Sequence, residues 1–499
     1  MKDQEGTREA ELIAARRANL AALRSMGADP YVLTRFDVNA KASELQRRFA
    51  DLPAGESLPE RFALAGRVML LRGQGNIAFA DLWDESGKIQ LFLKADVVGK
   101  EPLKAFQHHV DRGDLLGAQG RIARTKHGEL SLLVERYDVL GKALAPLPDK
   151  WHGLVDVERR YRQRYLDLAV NPEVRQVFLM RSRIIAELRR FLDARDFVEV
   201  ETPVLINIAG GATARPFQTH HNALDLDLNL RIATELYLKR LVVGGIERVY
   251  EIGRIFRNEG IDTKHNPEFT MMELYAAYWS YEEMAQFTEE LYAHLVALVT
   301  DGKSTLPFGD RVLDFQRPFA RVKYFDALQE HGGYARADLL DAERALHIAQ
   351  SLGLPKPPSH AHALDKIFEA VVEPHLVDPT FVMDIPVLLS PLAKRRADDP
   401  LLTERFELFI ANMEACNAFS ELNDPDDQRG RFEEQARDRD AGDAEAPPPD
   451  WDFITALEVG MPPTAGIGIG IDRLVMYLTN QQSIRDVILF PLARPIVER

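Results

Sequence analysis

The sequence predicts an α+β multidomain chain, a small all-β barrel followed by a larger domain of mixed strands and helices. Three observations carry this. Residues 62–140 break into short alternating runs separated by glycine turns. Residues 251–275 read as strand, loop and returning strand. Beyond them, helical stretches at 276–300 and 362–376 enclose short apolar runs such as 381–386. A length of 499 residues is compatible with about three domains. These are expected at 1–60 (helix and connector), 61–148 (barrel) and 149–499.

Residues 5–26 set Leu12, Ile13, Leu20 and Leu23 among charges, an amphipathic helix that Gly27 and Pro30 end. Residues 31–60 read as a connector with one short helix. FALAGRVMLLR, IAFADLWD, KIQLFLKA, LLGAQGRIART and ELSLLVERYDVL then give five strands, with turns at Ser86-Gly87 and His127-Gly128. A helical stretch near 100–110 lies inside the set, which fits an OB-type barrel. Such barrels bind single strands through basic side chains and stacking aromatics. Arg67, Arg72, Phe79, Gln90, Phe92 and Glu135 are the candidates, although pattern alone favours Phe79 and Phe92 as barrel core.

Residues 142–174 begin proline-rich and continue as a charged helix, with a boundary expected near 150. Asn171-Pro172-Glu173 starts a helix whose buried face is read as Val174, Phe178, Ile185, Leu188 and Leu192. FVEVETPVL follows as a strand ending at Pro203. In AGGATARPFQTHHN, residues 209–222, adjacent glycines allow close backbone approach to a small ligand. His220 and His221 are neighbours and poorly placed to share one metal ion. LDLDLNLRIATELYLKRLVVGG alternates up to Arg231 and then turns helical, opened by Glu235. Residues 304–361 carry no nameable chemistry, and 424–450 read as a solvated helix and loop.

An apolar fraction of 46% suffices for sizeable cores. No run approaches the roughly 18 consecutive apolar residues of a membrane helix. The N-terminal stretch lacks an apolar signal core, so the cytoplasm is expected. With Cys416 as the single cysteine, no intrachain disulfide or cysteine-built zinc site can form. The net charge of −15 argues against a general nucleic-acid binder. It is uneven, however: residues 1–150 hold 23 Lys and Arg against 21 Asp and Glu. A nucleic-acid partner would need local basic patches and would bind in a salt-sensitive way.

The chemistry concentrates in EIGRIFRNEGIDTKHNPEFTMMELY, residues 251–275. Glu273 and Tyr275 are two apart on the returning strand and share a face, and Arg257 and Glu259 are read the same way on the first strand. Ionisable groups on an apolar sheet are costly unless they bind a ligand or one another, so a salt-bridged hairpin is the alternative reading. In FELFIANMEACNAFSELNDP, residues 406–425, regular alternation would put Glu414 and Glu421 on opposite faces. A bulge or turn would be needed to aim both at one ligand. Carboxylates beside phosphates suit Mg²⁺, and a carboxylate equally suits a lysine ammonium. AGIGIGIDRLVMYLT, residues 465–479, has the wrong spacing for a dinucleotide fingerprint, and no Walker motif occurs. It reads as a glycine strand of bare backbone against which a nucleotide can lie. Asp472-Arg473 then opens a helix.

FRNEG with HNPEFTMMELY resembles the second signature motif of class II aminoacyl-tRNA synthetases, in its lysyl form. The helix and strand ending at Pro203 resemble the first motif, and GIGIGIDRLVMYLT resembles the third. The barrel resembles the anticodon-binding barrel of the lysyl, aspartyl and asparaginyl enzymes, so the resemblance covers about residues 60–499. It implies an OB-fold domain, then a class II catalytic domain on an antiparallel sheet flanked by helices. It also implies a homodimer through the first motif, with ATP, L-lysine and tRNA(Lys) as substrates and more than one Mg²⁺ per site.

By carry-over, Gly211, Glu235 and Glu273 would hold the lysine α-ammonium. Arg257 would hold its carboxylate and the α-phosphate, and Glu421 with Tyr275 would hold the side-chain ammonium. Asn417 and Phe419 would line the substrate side. Adenine would stack on Phe269 and meet Glu259. Lys264 and His265 would meet the outer phosphates, Arg473 would take adenine and the γ-phosphate, and Asn266 and Gly470 complete the ATP set. Glu414 and Glu421 would bind metal, and Arg257 and Arg473 would be catalytic. Phe79 and Gln90 become base contacts. Lys264 stands where arginine is common and Thr234 where proline is common. Glu421 opposes an aspartate- or asparagine-activating rival. The barrel opposes transfer of lysine to a protein, and the two arginines oppose a non-catalytic paralogue.

Overall fold

The computed structural model describes residues 2–148, 154–212, 214–440 and 448–495. The chain divides into two compact units, Met1–Asn171 and Pro172–Arg499, at the helix start noted above. The boundary expected near 150 lies among residues 149–153, outside the described ones.

In the first unit α1 (Lys2–Ser25) is followed by Gly27, whose φ of +76° suits a residue without Cβ. A closed barrel contains β1 (Ser57–Gln74), β2 (Ile77–Trp83), β3 (Lys88–Lys94), β4 (Leu115–Arg124) and β5 (Leu130–Gly141), in the order β1-β2-β3-β5-β4. Helix α2 (Lys100–His109) lies between β3 and β4 in the chain. β1 closes the barrel because its first part pairs with β4 and its second with β2. Alternation decides what faces inward: Ala78, Ala80 and Leu82 of β2 and Ile89, Leu91 and Leu93 of β3 are buried. Phe79 and Phe92 therefore point outward. They are not barrel core, contrary to the pattern reading.

The second unit is built on an eight-stranded sheet. Its strands are β6 (Val198–Glu199), β7 (Arg248–Phe256), β8 (Glu268–Ala277), β9 (Ala320–Lys323), β10 (Thr380–Met383), β11 (Arg405–Ile410), β12 (Met413–Ser420) and β13 (Thr464–Gly470). The order is β9-β10-β11-β12-β13-β8-β7-β6, antiparallel except for the outermost pair at each edge. Helices α3 (Pro172–Asp193), α4 (Glu235–Val243), α5 (Tyr281–Val299), α6 (Pro425–Asp440), α7 (Trp451–Val459) and α8 (Ile471–Leu478) accompany it. One face carries the core: Met272 and Leu274 of β8, Ile467 and Ile469 of β13 and Phe406 and Leu408 of β11 pack with Leu291 of α5 and Leu474 of α8. The other face is left for chemistry.

Several expectations are corrected. The strand around 197–205 shrinks to Val198–Glu199 at the sheet edge. On α3 the fully buried isoleucine is Ile184, while Ile185 is partly buried against the core. β7 stops at Phe256, so Arg257 and Glu259 occupy a loop rather than one strand face. Residues 276–277 finish β8, and α5 starts only at Tyr281, where Ser280 and Glu283 form a capping box. The 425–440 helix is not wholly solvated: Gln428, Arg431 and Phe432 are buried, Phe432 against Phe453 of α7. Residues 441–447 of the expected solvated loop lie outside the described ones.

Candidate active site

The period of two places Phe269, Met271, Glu273 and Tyr275 of β8 on the face opposite the core. β13 runs beside it, with Gly468 opposite Glu273 and Gly466 opposite Tyr275. Of these two glycines Gly466 is the more constrained, because its neighbours include a buried ring, whereas Gly468 meets the flexible end of Met271. A Cβ on Gly466 would collide with Glu421 Oε1 and the Tyr275 ring, and one on Gly468 with Met271 Cε. Bare backbone here is what leaves space above the sheet.

On β12 the register answers the question left by Glu414 and Glu421. Phe409 pairs with Glu414 but Leu408 pairs with Cys416, so Ala415 is an extra, bulged residue. The bulge reverses the phase: Glu414 before it and Asn417 and Phe419 after it share the open face. A cavity of about 420 Å³ results. Gly211, Glu235, Arg257, Glu259, Lys264, His265, Asn266, Phe269, Glu273, Tyr275, Glu414, Asn417, Phe419, Gly470 and Arg473 all line it. Glu421 does not. It lies beneath Gly466, 1% exposed, with Oε2 in ion-pair contact with Lys239.

The closed end is acidic. Glu273 Oε1 accepts the Thr234 N–H at 3.1 Å, and the Tyr275 hydroxyl donates to Oε2 at 3.3 Å. Burial, helped by the charge of Glu235, pushes Glu273 up to about 7. Burial likewise raises Glu421 well above the usual carboxylate range, against the pull of Lys239. Tyr275 is raised by burial and the surrounding acids, so it stays a neutral hydroxyl. Gly211, at φ +87°, brings its backbone against Glu235, and a Cβ there would stand 3.2 Å from that of Glu235.

The middle and open parts carry cations. The Arg257 guanidinium carbon lies 5.3 Å from the Phe269 ring centre, and its Nε faces the Ile232 carbonyl at 3.4 Å. Arg473 donates to the Glu414 carbonyl at 2.7 Å and to His265 Nε2 at 3.2 Å. His265 Nδ1 in turn faces Asp262 at 2.9 Å. Asp472 anchors this end, accepting the Thr270 N–H at 2.6 Å and pairing with Arg181 at 2.6 Å. Lys264 Nζ reaches the Asn412 carbonyl at 3.3 Å. Asn266 donates to the Glu268 carbonyl and leaves its own buried Oδ1 without a partner among the described residues.

Sequence reasoning missed three cavity or near-cavity groups. Glu407 and Arg405 lie on β11 opposite Asn417 and Phe419, so register alone brings them to the open face. Arg405 donates to Glu407 at 2.5 Å and to Asn417 at 3.0 Å. Burial pushes Glu407 up to about 7, and the charge of Glu414 adds to this against Arg405. Alternation in RFELFI could have exposed both. The third, Lys239, carries no sequence signal beyond its place four residues after Glu235.

Among the described residues no group of three or more His, Cys, Asp or Glu could hold a metal by itself. Glu407 and Glu414, the charge of Glu414 raising the proton affinity of Glu407, supply two oxygen donors of the kind a hard divalent ion takes.

In the barrel, cross-strand register lines up Arg72, Phe79 and Phe92. The two rings stack at 4.7 Å and 10°. Gln90, in the neighbouring row, accepts from the Ser131 hydroxyl at 2.8 Å. Arg72 lies 3.7 Å from Asp81. Glu135 is held by Arg61 at 2.8 Å and Arg121 at 2.9 Å. Arg67 is committed elsewhere: it donates to the Gly113 carbonyl at 2.7 Å, and burial lowers its proton affinity.

Residues 156–494 match the family model described as tRNA synthetases class II (D, K and N), and residues 62–140 match an OB-fold nucleic acid binding domain. A lysine–tRNA ligase of Moorella thermoacetica is 53% identical, over 98% of each chain. One from Thermoanaerobacter pseudethanolicus is 50% identical over 97% of this chain and 96% of its own. One from Aquifex aeolicus is 54% identical over 87% of this chain and 73% of its own. The chain belongs to the class II tRNA synthetases (D, K and N).

Proposed function

We propose that this protein activates L-lysine with ATP and transfers it to tRNA(Lys). The observation that carries the reading is one cavity with buried acids at one end, Arg257 in the middle, and Phe269, Arg473 and glycine backbone at the other. Glu235 and Glu273, beside the Gly211 backbone, hold the α-ammonium. Glu421 and Tyr275 hold the side-chain ammonium, with Asn417 and Phe419 alongside. Arg257 holds the lysine carboxylate against the α-phosphate. Adenine stacks on Phe269 with Glu259, Asn266, Gly470 and Arg473 around it, and Lys264 and His265 meet the outer phosphates.

The lysine carboxylate attacks the α-phosphorus in line. A new P–O bond forms, the bond to the β-phosphate breaks, and pyrophosphate leaves with the electron pair. A terminal ribose hydroxyl of tRNA then displaces AMP from lysyl-adenylate. Both steps depend on positioning and charge neutralisation, so Arg257 and Arg473 are the catalytic residues and no general base is assigned. Mg²⁺, when bound, shields the negative charge of the phosphates. Glu414 would hold it, with Glu407 as the second protein donor, while Glu421 is engaged with Lys239.

Phe79, Phe92, Gln90 and Arg72 form the anticodon-contacting face, with stacking as the main attraction. Glu135, held by Arg61 and Arg121, supports it, while Arg67 is engaged with the Gly113 carbonyl. A homodimer through the first motif is supported by apolar side chains exposed on α3, at the β6 edge and around 204–226: Leu179, Val198, Val204, Leu205, Leu224 and Leu226. No described helix is long and apolar enough to cross a membrane. We place the enzyme in the cytoplasm, with its tRNA.

ATP–pyrophosphate exchange across all amino acids tests the reading. Exchange with lysine is expected, and silence with every amino acid at ample Mg²⁺ would overturn it.

A further inference from the structure

Lys239 is 0% exposed, and none of the roles above uses it. It stands one turn after Glu235 on α4, with Nζ 2.5 Å from Glu235 Oε1 and in contact with Glu421 Oε2. The rings of Phe419 and Phe453, at 5.5 and 5.8 Å, cover it further. Burial works against its charge, but the two carboxylates outweigh burial and hold it above the ordinary lysine range. It is therefore held toward the ammonium form by the acids around it.

The pairing is one-sided. Both oxygens of Glu421 are buried without a hydrogen bond among the described residues; Oε2 is in ion-pair contact with Lys239, while Oε1 lies against the place a Cβ on Gly466 would take. A buried carboxylate oxygen is costly without a partner. This one lies beside the glycine that lines the cavity.

We propose that Lys239 is a positioning residue for recognition of the substrate's side-chain ammonium. It holds the far oxygen of Glu421, aims the near oxygen past Gly466, and sets how many cations the acid cluster accepts. Three acids, Glu235, Glu273 and Glu421, face one built-in cation, Lys239, which leaves partners for the two ammonium groups that lysine carries. The groups facing this cluster are Glu235 and Lys239 from α4, Glu273 and Tyr275 from β8, Glu421 after β12, and Arg257, whose charge reaches Glu273. The inference rests on the lysine-activating reading above.

Lys239→Met removes the charge at similar length. In lysine-dependent pyrophosphate exchange by the full-length protein, KM for lysine is expected to rise about tenfold or more. Its kcat should stay within about threefold and KM for ATP should be unchanged. The acid limb of kcat/KM for lysine should move to higher pH, because Glu421 loses the cation that opposes its protonation. A mere space-filling role would leave that limb in place.

If the wild type exchanges with lysine and K239M matches it in KM and pH limb, this inference falls and the lysine reading stands. If the wild type responds only to another amino acid, both fall. If thermal melting shows that K239M does not fold, K239R is read instead. It keeps the charge at a different length, so KM for lysine should rise with the limb unmoved, and an unchanged KM would overturn the proposal.

Discussion

At the closed end of the cavity, Glu235, Glu273 and Glu421 are buried and already partnered by Lys239, the Thr234 N–H and the Tyr275 hydroxyl. At the open end, Glu414 and His265 keep 44% and 48% of their side chains exposed. Charges removed from water must find partners within the fold, so the closed end is assembled before any ligand arrives. Exposed charges are screened by solvent and can wait for the phosphates. Selectivity for the amino acid is thus built into the buried end, while the nucleotide end supplies attraction and transition-state charge.

Three perturbations would break or sharpen that contrast. The largest acts where the ends meet: Arg257→Gln should lower kcat of adenylate formation by about 10²–10³, as loss of a positioned charge donor does. Single-turnover kinetics would show it, and a change confined to KM would make Arg257 a binding group alone. Gly466→Ala drives a methyl into Glu421 Oε1 and the Tyr275 ring. It should raise KM for lysine roughly 10- to 100-fold while sparing ATP, in keeping with the cost of small displacements at a reacting site. An equal loss for ATP would show that the two ends are not separable.

The smallest effect is on pH. Glu273 is pushed up to about 7, so the empty site carries a proton there below that value and must lose it to hold an ammonium. The kcat/KM for lysine should therefore fall about tenfold per pH unit below about 7 and level above it. Glu273→Gln should remove the step near 7 and leave only the limb that Glu421 contributes, and an unchanged step near 7 would assign that titration to another group.

Much of this was legible beforehand, for reasons particular residues make clear. The hairpin, the glycine strand and the helix opened by Glu235 follow from local periodicity and turn chemistry, and they supplied nearly every lining residue. Glu407 and Arg405 were missed because their importance comes from register with Asn417 and Phe419, a pairing no local pattern announces. Lys239 was missed because an i,i+4 partner of Glu235 looks like any exposed helix pair until Glu421 closes over it. Pattern alone put Phe79 and Phe92 in the core, while the burial of Ala78, Ala80, Leu91 and Leu93 beside them sets the opposite phase. Arg67, a candidate for the groove, is tied to the Gly113 carbonyl, a bond no local pattern announces.

The extra residue at Ala415 has a wider consequence. It divides one strand into two reading frames, so residues before and after it obey opposite parity while facing the same ligand space. Deleting Ala415 would act as a frameshift in space, turning Glu414 into the core while leaving Asn417 and Phe419 in place. A single residue thus lets the nucleotide and amino-acid halves of the site be altered independently, though both are written on one β-strand.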